Sequence, residues 1–286
     1  MFSVAADASN LLGECPIWCE RTRRIYWTDI EGSELLALEE DTSVVMRWSL
    51  PERLGSFALT ENSDVLLMGL ASRFAFCDLN TGTFTPVVAS PGGPGTRIGD
   101  GRCDREGNFV FGTMDDGHPV RVIGRFHRLN AATLSIETLP LPEVAIPNSI
   151  CFSPDGSTMY YCDSMQGRIM CCDYPSMNNQ RVFTTTEGKG APDGSCVDAM
   201  GYVWNAEWGG SRVVRYRPDG TTESILPSSG VQSTCPTLAG EAFTTLYCTS
   251  ASVGLSVPSR HDGALLRAKS AVFPGLPESR FSAHTA

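Results

Sequence analysis

The sequence lacks the features that mark several large classes of protein. No apolar run approaches the ~20 residues of a membrane-spanning helix. The first residues carry neither a basic segment nor a sufficiently long apolar one, so no secretory signal is predicted. The 22 basic residues are outnumbered by 32 acidic ones, which gives a net charge of -10, and no Lys/Arg cluster forms a stripe that could neutralise phosphates. We therefore predict a soluble cytoplasmic protein that binds neither membranes nor nucleic acid.

The cysteines form neither a disulfide pattern nor a zinc-binding pattern. There are 11 of them, an odd number, and several lie in predicted strands, among them Cys151, Cys162 and Cys196. A free cysteine behaves as a small buried hydrophobic residue, so we expect reduced thiols rather than disulfides. No C-x2-C pair is present and the 4 histidines are not spaced as ligands. Any bound metal must therefore be held mainly by oxygen atoms.

A hairpin pattern recurs six times along the chain. Each copy has a short apolar strand, a polar turn and a second strand with a large apolar or aromatic residue. These residues serve as reference positions at spacings of 40, 44, 50, 43 and 43, and they are Trp27, Leu67, Phe111, Tyr161, Trp204 and Tyr247. A period in the forties made of strands and turns is typical of a β-propeller, whereas the strands of a β-sandwich are not expected to repeat a whole hairpin. The sequence predicts an all-β, six-bladed β-propeller that spans residues 1–286 as a single domain.

The two ends of the chain are predicted to share the last blade. Residues 2–5 have an alternating pattern but no repeat partner of their own, and residues 263–268 supply another strand. When one terminal strand completes the blade formed by the other terminus, an open sheet edge is removed. Residues 274–286, which follow, are predicted to be a tail.

Four polar residues precede the hairpins at similar distances from the reference positions. Glu14 and Asn148 lie 13 residues before theirs, and Asp100 and Asp193 lie 11 before theirs. Asn148 and Asp193 each lie in an ordinary turn sequence, so their common position, rather than their type, indicates a site. We expect these side chains to gather at one mouth of the central channel. Their carboxylate and amide oxygens suit Ca²⁺, Mg²⁺ or Mn²⁺, with Fe²⁺ or Zn²⁺ also compatible.

Several motifs occur in the same order as in a known family. They are Gly13-Glu14-Cys15-Pro16-Ile17-Trp18, Arg97-Ile98-Gly99-Asp100-Gly101, Pro147-Asn148-Ser149-Ile150, Pro192-Asp193-Gly194 and Trp208-Gly209-Gly210-Ser211-Arg212. Together they resemble the regucalcin/gluconolactonase family of six-bladed propellers over nearly the whole chain. The resemblance implies the hydrolysis of a sugar lactone, such as a pentonolactone or gluconolactone, to the aldonic acid.

The resemblance also implies roles for individual residues. One divalent ion is expected on the axis, bound by Glu14, Asn148 and Asp193, and Asp193 is expected to act as the general base. Arg97 is expected to contact the substrate through its planar fork. These roles agree with the ability of a metal ion to polarise a lactone carbonyl or to lower the pKa of a bound water. The expected partner is the small sugar lactone alone, and the protein is expected to be a monomer or a weak homodimer.

The chain departs from the family's pattern in places that bear on the substrate. Gly99 stands where the family often has Asn, so a polar contact is absent or is supplied by the backbone or by Asp100. Cys15 and Ser149 replace glycines that usually follow the Glu and the Asn. Residues 51–59 are similar to bacterial pentonolactonases, which favours a five-carbon lactone.

A non-enzymatic propeller that binds calcium or a partner is the alternative, as proposed for the calcium-regulatory members of the family. Arg97 beside the predicted metal ligands favours the enzyme, because a protein that only bound a metal would not need an arginine in the channel mouth. A panel of lactones, assayed with and without a chelator, distinguishes the two functions.

Overall fold

The predicted six-bladed β-propeller is confirmed by the structure, a computed structural model that describes residues 2–40, 42–269 and 273–283. These residues form 24 strands in six four-stranded antiparallel sheets, together with one short 3₁₀-helix, Ser164–Gln166. No helix in the described ranges is long and apolar enough to cross a membrane.

The chain starts with β1 (Ser3–Ala6) and then forms the blades one after another. Blades 1 to 3 consist of β2 (Gly13–Cys19), β3 (Arg24–Asp29), β4 (Glu34–Glu39) and β5 (Val45–Ser49); β6 (Leu54–Leu59), β7 (Val65–Leu70), β8 (Arg73–Asp78) and β9 (Thr83–Ala89); and β10 (Thr96–Cys103), β11 (Phe109–Asp115), β12 (Arg125–Leu129) and β13 (Ile136–Thr138). Blades 4 to 6 consist of β14 (Pro147–Phe152), β15 (Thr158–Asp163), β16 (Arg168–Asp173) and β17 (Arg181–Thr185); β18 (Ala191–Val197), β19 (Val203–Trp208), β20 (Arg212–Tyr216) and β21 (Thr222–Pro227); and β22 (Gln232–Ala239), β23 (Thr245–Ala251), β24 (Leu265–Lys269) and β1.

Blade 6 is built from both ends of the chain. Strand β1 pairs antiparallel with β24, with Ser3 opposite Arg267. The innermost strand of each blade contacts the innermost strand of the next, and β22 contacts β2, so the ring is closed. All innermost strands run in the same direction along the channel, which places their first residues at one mouth and their last residues at the opposite end.

Apolar side chains pack between neighbouring blades rather than in one central core. Between blades 2 and 3, for example, the Phe74 ring meets the rings of Phe109 and Phe111 edge-on, with centroids 5.8 and 4.7 Å apart. Burying one such side chain contributes about 1.5–3 kcal/mol of transfer free energy. All 11 cysteines are buried and free, which agrees with the expectation of reduced thiols.

The prediction that residues 274–286 form a tail is wrong for the part that the structure describes. We name residues 273–283 the strap, because this segment packs across the end of the propeller opposite the mouth. Phe281 is 1% exposed within the apolar cluster between blades 2 and 3, and Arg280 pairs with Glu20 of blade 1 at 2.8 Å. The sequence of the strap has no strand or helix periodicity. Its contacts with distant blades could therefore not be predicted from the local sequence. Residues 284–286 lie outside the described residues.

Candidate active site

The innermost strand of every blade contains a β-bulge near its first residues. The register with the second strand shifts after Glu14, Leu54, Ile98, Asn148, Pro192 and Ser233. A bulge bends a strand locally and re-aims its side chains. The mouth of the channel is therefore surrounded by six points at which the chain can direct polar groups inward.

The bulges bring together residues whose register positions differ. Glu14 and Asn148 are the last paired residues before their bulges. Asp193 and Asp100 instead lie within the bulges of blades 5 and 3. The four residues meet at one mouth as predicted, and the two-residue difference between their distances from the reference positions has its cause in strand register. The reference aromatic residues of blades 3 and 5 are displaced from the register position that Trp27 holds in blade 1.

The residues after Glu14 and Asn148 adopt left-handed backbone conformations. Cys15 has a φ of 51° and Ser149 a φ of 61°. This region of backbone space favours glycine, and a residue with a side chain costs about 1–2 kcal/mol there. The glycines expected at these positions from the family resemblance would avoid that cost, yet the chain keeps the same bulge without them.

Buried polar contacts fix the backbone of Asp193. The Ser149 hydroxyl donates to its carbonyl oxygen at 2.6 Å, and Asn205 Nδ2 donates to the same oxygen at 3.1 Å. The next residue, Gly194, could not carry a side chain, because a Cβ atom there would lie 2.4 Å from Cys235. The position of the Asp193 carboxylate is thus set by the packing of three blades.

The six residues predicted for the site line one cavity of about 280 Å³ at the mouth. They are Glu14, Arg97, Gly99, Asp100, Asn148 and Asp193. Sequence reasoning missed the apolar wall of the cavity, which includes Ile146, Met165 and Trp208. Trp208 pairs with Ala191 at the mouth end of blade 5, so hairpin register is the signal that could have placed it there.

Asn148 links blades 4 and 5 within the cavity. Its Nδ2 donates to Asp193 Oδ1 at 2.7 Å and to Ser164 Oγ at 3.0 Å. Because the amide nitrogen makes both bonds, the amide oxygen is the atom of Asn148 that could bind a cation. The second carboxylate oxygen of Asp193 could do the same.

Gly99 leaves free space in the cavity, whereas the neighbouring Asp100 forms a hydrogen bond to the next blade. A Cβ atom built on Gly99 would have its nearest neighbours at 3.8 Å, so this position has room for a side chain. Asp100 Oδ2 accepts a hydrogen bond from the backbone N–H of Ile150 at 2.9 Å, which ties blade 3 to blade 4. Part of the Asp100 carboxylate is therefore already used in holding the ring together.

Burial raises the pKa of all three carboxyl groups, and the charges of neighbouring carboxylates add to this increase for Glu14 and Asp193. For Glu14, burial is the main cause of the increase and the charge of Asp100 adds to it, while the Cys15 N–H and Arg97 oppose it. Burial likewise raises the pKa of Asp193 well above its usual range, with contributions from Glu14 and Asp100. Burial also raises the pKa of Asp100. A cation among these groups would stabilise their charged forms.

The donor atoms fit a hard divalent cation. Glu14, Asn148 and Asp193 present two carboxylates and an amide oxygen, and Arg97 is the one basic residue among the described residues that line the cavity. No three His, Cys, Asp or Glu side chains in the described ranges are placed to hold a metal ion by themselves. The amide oxygen and water molecules would therefore have to complete a coordination shell, as is usual for oxygen-ligated ions.

Arg97 lies at the side of the cavity with 11% of its side chain exposed. Its Nη1 donates to the carbonyl oxygen of Ile98 at 3.3 Å, and its Nε lies 3.9 Å from Asp116 Oδ1. Burial lowers its pKa, and the nearby charge of Arg53 adds to this effect. An arginine remains protonated under such shifts, so Arg97 provides a fixed positive charge and a planar set of donors beside the three acids.

Fold and cavity together define a six-bladed β-propeller with an acidic cavity on its axis. The chain belongs to the family described as the SMP-30/Gluconolactonase/LRE-like region, whose profile matches residues 12–252. The resemblance seen in the sequence motifs is thereby confirmed.

Relatives of the chain include named lactonases and a regucalcin. It is 51% identical over 259 residues to the L-arabinolactonase of Azospirillum brasilense, covering 89% of this chain and 85% of the relative. It is 31% identical over 253 residues to the 6-deoxy-6-sulfogluconolactonase of Pseudomonas putida, covering 84% of each. A crystal structure from Agrobacterium tumefaciens, described as the calcium-binding protein regucalcin, matches with a TM-score of 0.90 at 29% identity, covering 97% of this chain and 96% of the other.

Proposed function

We propose that the protein is a sugar lactonase that hydrolyses an aldonolactone, preferably a pentonolactone, with one divalent ion as cofactor. The observation that carries the proposal is the arrangement of Glu14, Asn148, Asp193 and Arg97 around one cavity. The cavity is about the size of a small-ligand site, which suits a single sugar ring. The preference for a pentonolactone is supported by the 51% identity to an L-arabinolactonase.

Glu14, Asn148 and Asp193 are the proposed ligands of the ion. Ca²⁺, Mg²⁺ and Mn²⁺ match their oxygen atoms best, and Zn²⁺ and Fe²⁺ are compatible. When bound, such an ion polarises a carbonyl group and lowers the pKa of water.

Asp193 is the proposed general base. A carboxylate held beside the substrate can accept a proton from water in the transition state. In the reaction, the Asp193 carboxylate takes a proton from the attacking water as the water oxygen bonds to the lactone carbonyl carbon. The bond between that carbon and the ring oxygen then breaks, and the proton passes to the departing ring oxygen. The products are the aldonate and, at neutral pH, one released proton.

Arg97 and the apolar wall are proposed to orient the substrate. The planar guanidinium of Arg97 can donate to sugar hydroxyls and to the oxyanion that develops during attack. Trp208 and Met165 offer apolar surface to the C–H faces of the sugar ring. The hydroxyl groups of the sugar would then form hydrogen bonds with the polar side of the cavity.

A panel of lactones, assayed with the metal-loaded protein, with chelator and after metal is restored, tests the proposal. We expect hydrolysis of at least one pentonolactone or hexonolactone, its loss with chelator, and its recovery with a divalent ion. Tight Ca²⁺ binding with no hydrolysis of any lactone would support the non-enzymatic alternative instead. That alternative draws on the calcium-binding description of the Agrobacterium regucalcin structure.

A further inference from the structure

Arg97, which lines the cavity, belongs to a group of four charged residues at the mouth end of blades 1 to 3. Arg97 belongs to β10, while Glu31 follows β3, Arg53 precedes β6 and Asp116 follows β11. All four positions lie at the mouth end of their strands. We name these residues the rim cluster.

Asp116 bridges the two arginines of the rim cluster. Its Oδ2 accepts a hydrogen bond from Arg53 Nη2, and its Oδ1 lies 3.9 Å from Arg97 Nε. Arg53 Nη1 in turn lies 3.5 Å from Glu31 Oε1. The hydrogen bond with Asp116 is the main cause that raises the pKa of Arg53. Two positive and two negative charges thus form one connected group with no net charge.

The rest of the cavity has no excess of positive charge, because the three carboxyl groups on its floor outweigh the charge of the proposed divalent ion. Its floor contains the carboxyl groups of Glu14, Asp100 and Asp193, and Arg97 is the one basic residue among the described lining residues. Because Asp116 and Glu31 together balance Arg53 and Arg97, neither arginine presents an uncompensated charge. A negatively charged substrate group at the rim would therefore lose hydration without gaining an unpaired arginine in return. A neutral sugar lactone, which needs only hydrogen bonds, avoids this cost.

We propose that Asp116 is a specificity-determining residue that, together with Glu31, neutralises Arg53 and Arg97 and thereby selects neutral lactones over lactones that carry a carboxylate or a sulfonate. This inference rests on the proposed lactonase function and specifies its substrate class. The side chains of Arg53 and Asp116 are 28% and 32% exposed, so water weakens their interaction and the selection is moderate.

The test compares a neutral aldonolactone with an aldarolactone, which has the same ring and an additional carboxylate. In Asp116→Asn, we expect kcat/KM for the aldarolactone to rise about fivefold relative to the neutral lactone, mainly through KM, as for a partly exposed charge pair. Arg53→Gln should move the ratio in the opposite direction. The double variant, which removes one charge of each sign, should return toward the parent ratio. Glu143→Gln is the matched control, because it removes one negative charge from the exposed pair with Arg125, outside the cavity lining.

Binding of xylose and glucuronate, measured by calorimetry, gives a second readout that does not require catalysis. These two sugars differ by one carboxylate. If no variant hydrolyses any lactone but Asp116→Asn strengthens the binding of glucuronate relative to xylose, the role of Asp116 stands and the lactonase proposal fails. If the parent hydrolyses the neutral lactone and Asp116→Asn shifts neither ratio beyond the Glu143→Gln control, the inference about Asp116 is overturned while the lactonase proposal stands.

Discussion

The two ends of the central channel differ in whether their charged groups are paired with a group of opposite charge. At the mouth, one buried and two half-buried carboxyl groups surround a cavity of about 280 Å³ that has one basic lining residue among those described. At the other end, Arg102 pairs with Glu278 of the strap at 3.1 Å, and the cavity that remains is about 20 Å³. Uncompensated charge beside an open cavity favours a bound ligand, whereas compensated charge in a closed space holds the chain together. From this comparison we propose that the chemistry takes place at the mouth and that the strap contributes stability.

The largest expected effect is at the mouth, in Asp193→Asn. The asparagine keeps an oxygen that can coordinate an ion but cannot act as a base, so lactone hydrolysis should fall by ~10²-fold or more at saturating metal. The control is Asp163→Asn. The Asp163 carboxylate accepts hydrogen bonds from the backbone N–H groups of Ala145 and Ile146 at 3.1 Å each. The same substitution there should therefore not remove a base from the reaction. Hydrolysis at the parent rate by fully metallated Asp193→Asn would mean that this residue is only a ligand.

At the opposite end, Glu278→Gln should reduce stability and leave the chemistry unchanged. This change removes the negative partner of Arg102, whose side chain is 11% exposed. We expect a loss of about 2 kcal/mol in the free energy of unfolding, which is somewhat below the range for fully buried pairs. Urea denaturation measures this loss, and Glu143→Gln, in an exposed pair, should cost less than about 1 kcal/mol. A loss of lactone hydrolysis at unchanged stability would show that this end of the channel belongs to the site.

Arg97→Lys sharpens the contrast between charge and geometry at the mouth. Lysine keeps the positive charge but not the planar fork. We expect kcat/KM to fall about tenfold, with the change in KM or in both constants together. Steady-state kinetics on one lactone are sufficient, and unchanged constants would restrict the role of Arg97 to its charge.

The smallest effect is expected for Gly99→Asn. The nearest atoms to a Cβ at this position are 3.8 Å away, so the side chain should fit and the melting temperature should stay close to that of the parent. One added hydrogen bond contributes about 1 kcal/mol, so the ratio of kcat/KM for pentonolactone and hexonolactone should change by about fivefold or less. A large drop in melting temperature would contradict the room that the structure shows.

The sequence could predict the blades and the floor of the site, but not the contacts that join distant segments. The hairpin period was sufficient for six blades, and similar distances from the reference positions were sufficient to place Glu14, Asn148 and Asp193 at one mouth. The Arg53–Asp116 pair spans 63 positions and the Arg102–Glu278 pair spans 176. Neither pair leaves a periodic pattern, because each depends on how blades and strap meet in space. The bulges were likewise hidden, since a local shift in register does not alter the composition of a strand.

The most direct test of the mouth as the functional end is the metal content of purified protein at a limiting supply of divalent ion. We expect about one ion per chain in the parent and in Glu278→Gln, and clearly less in Glu14→Gln, Asn148→Ala and Asp193→Asn, because each of these three changes weakens one proposed ligand. Elemental analysis gives the ratio directly. Undiminished metal in all three mouth variants would contradict the assignment of the ion to the channel mouth.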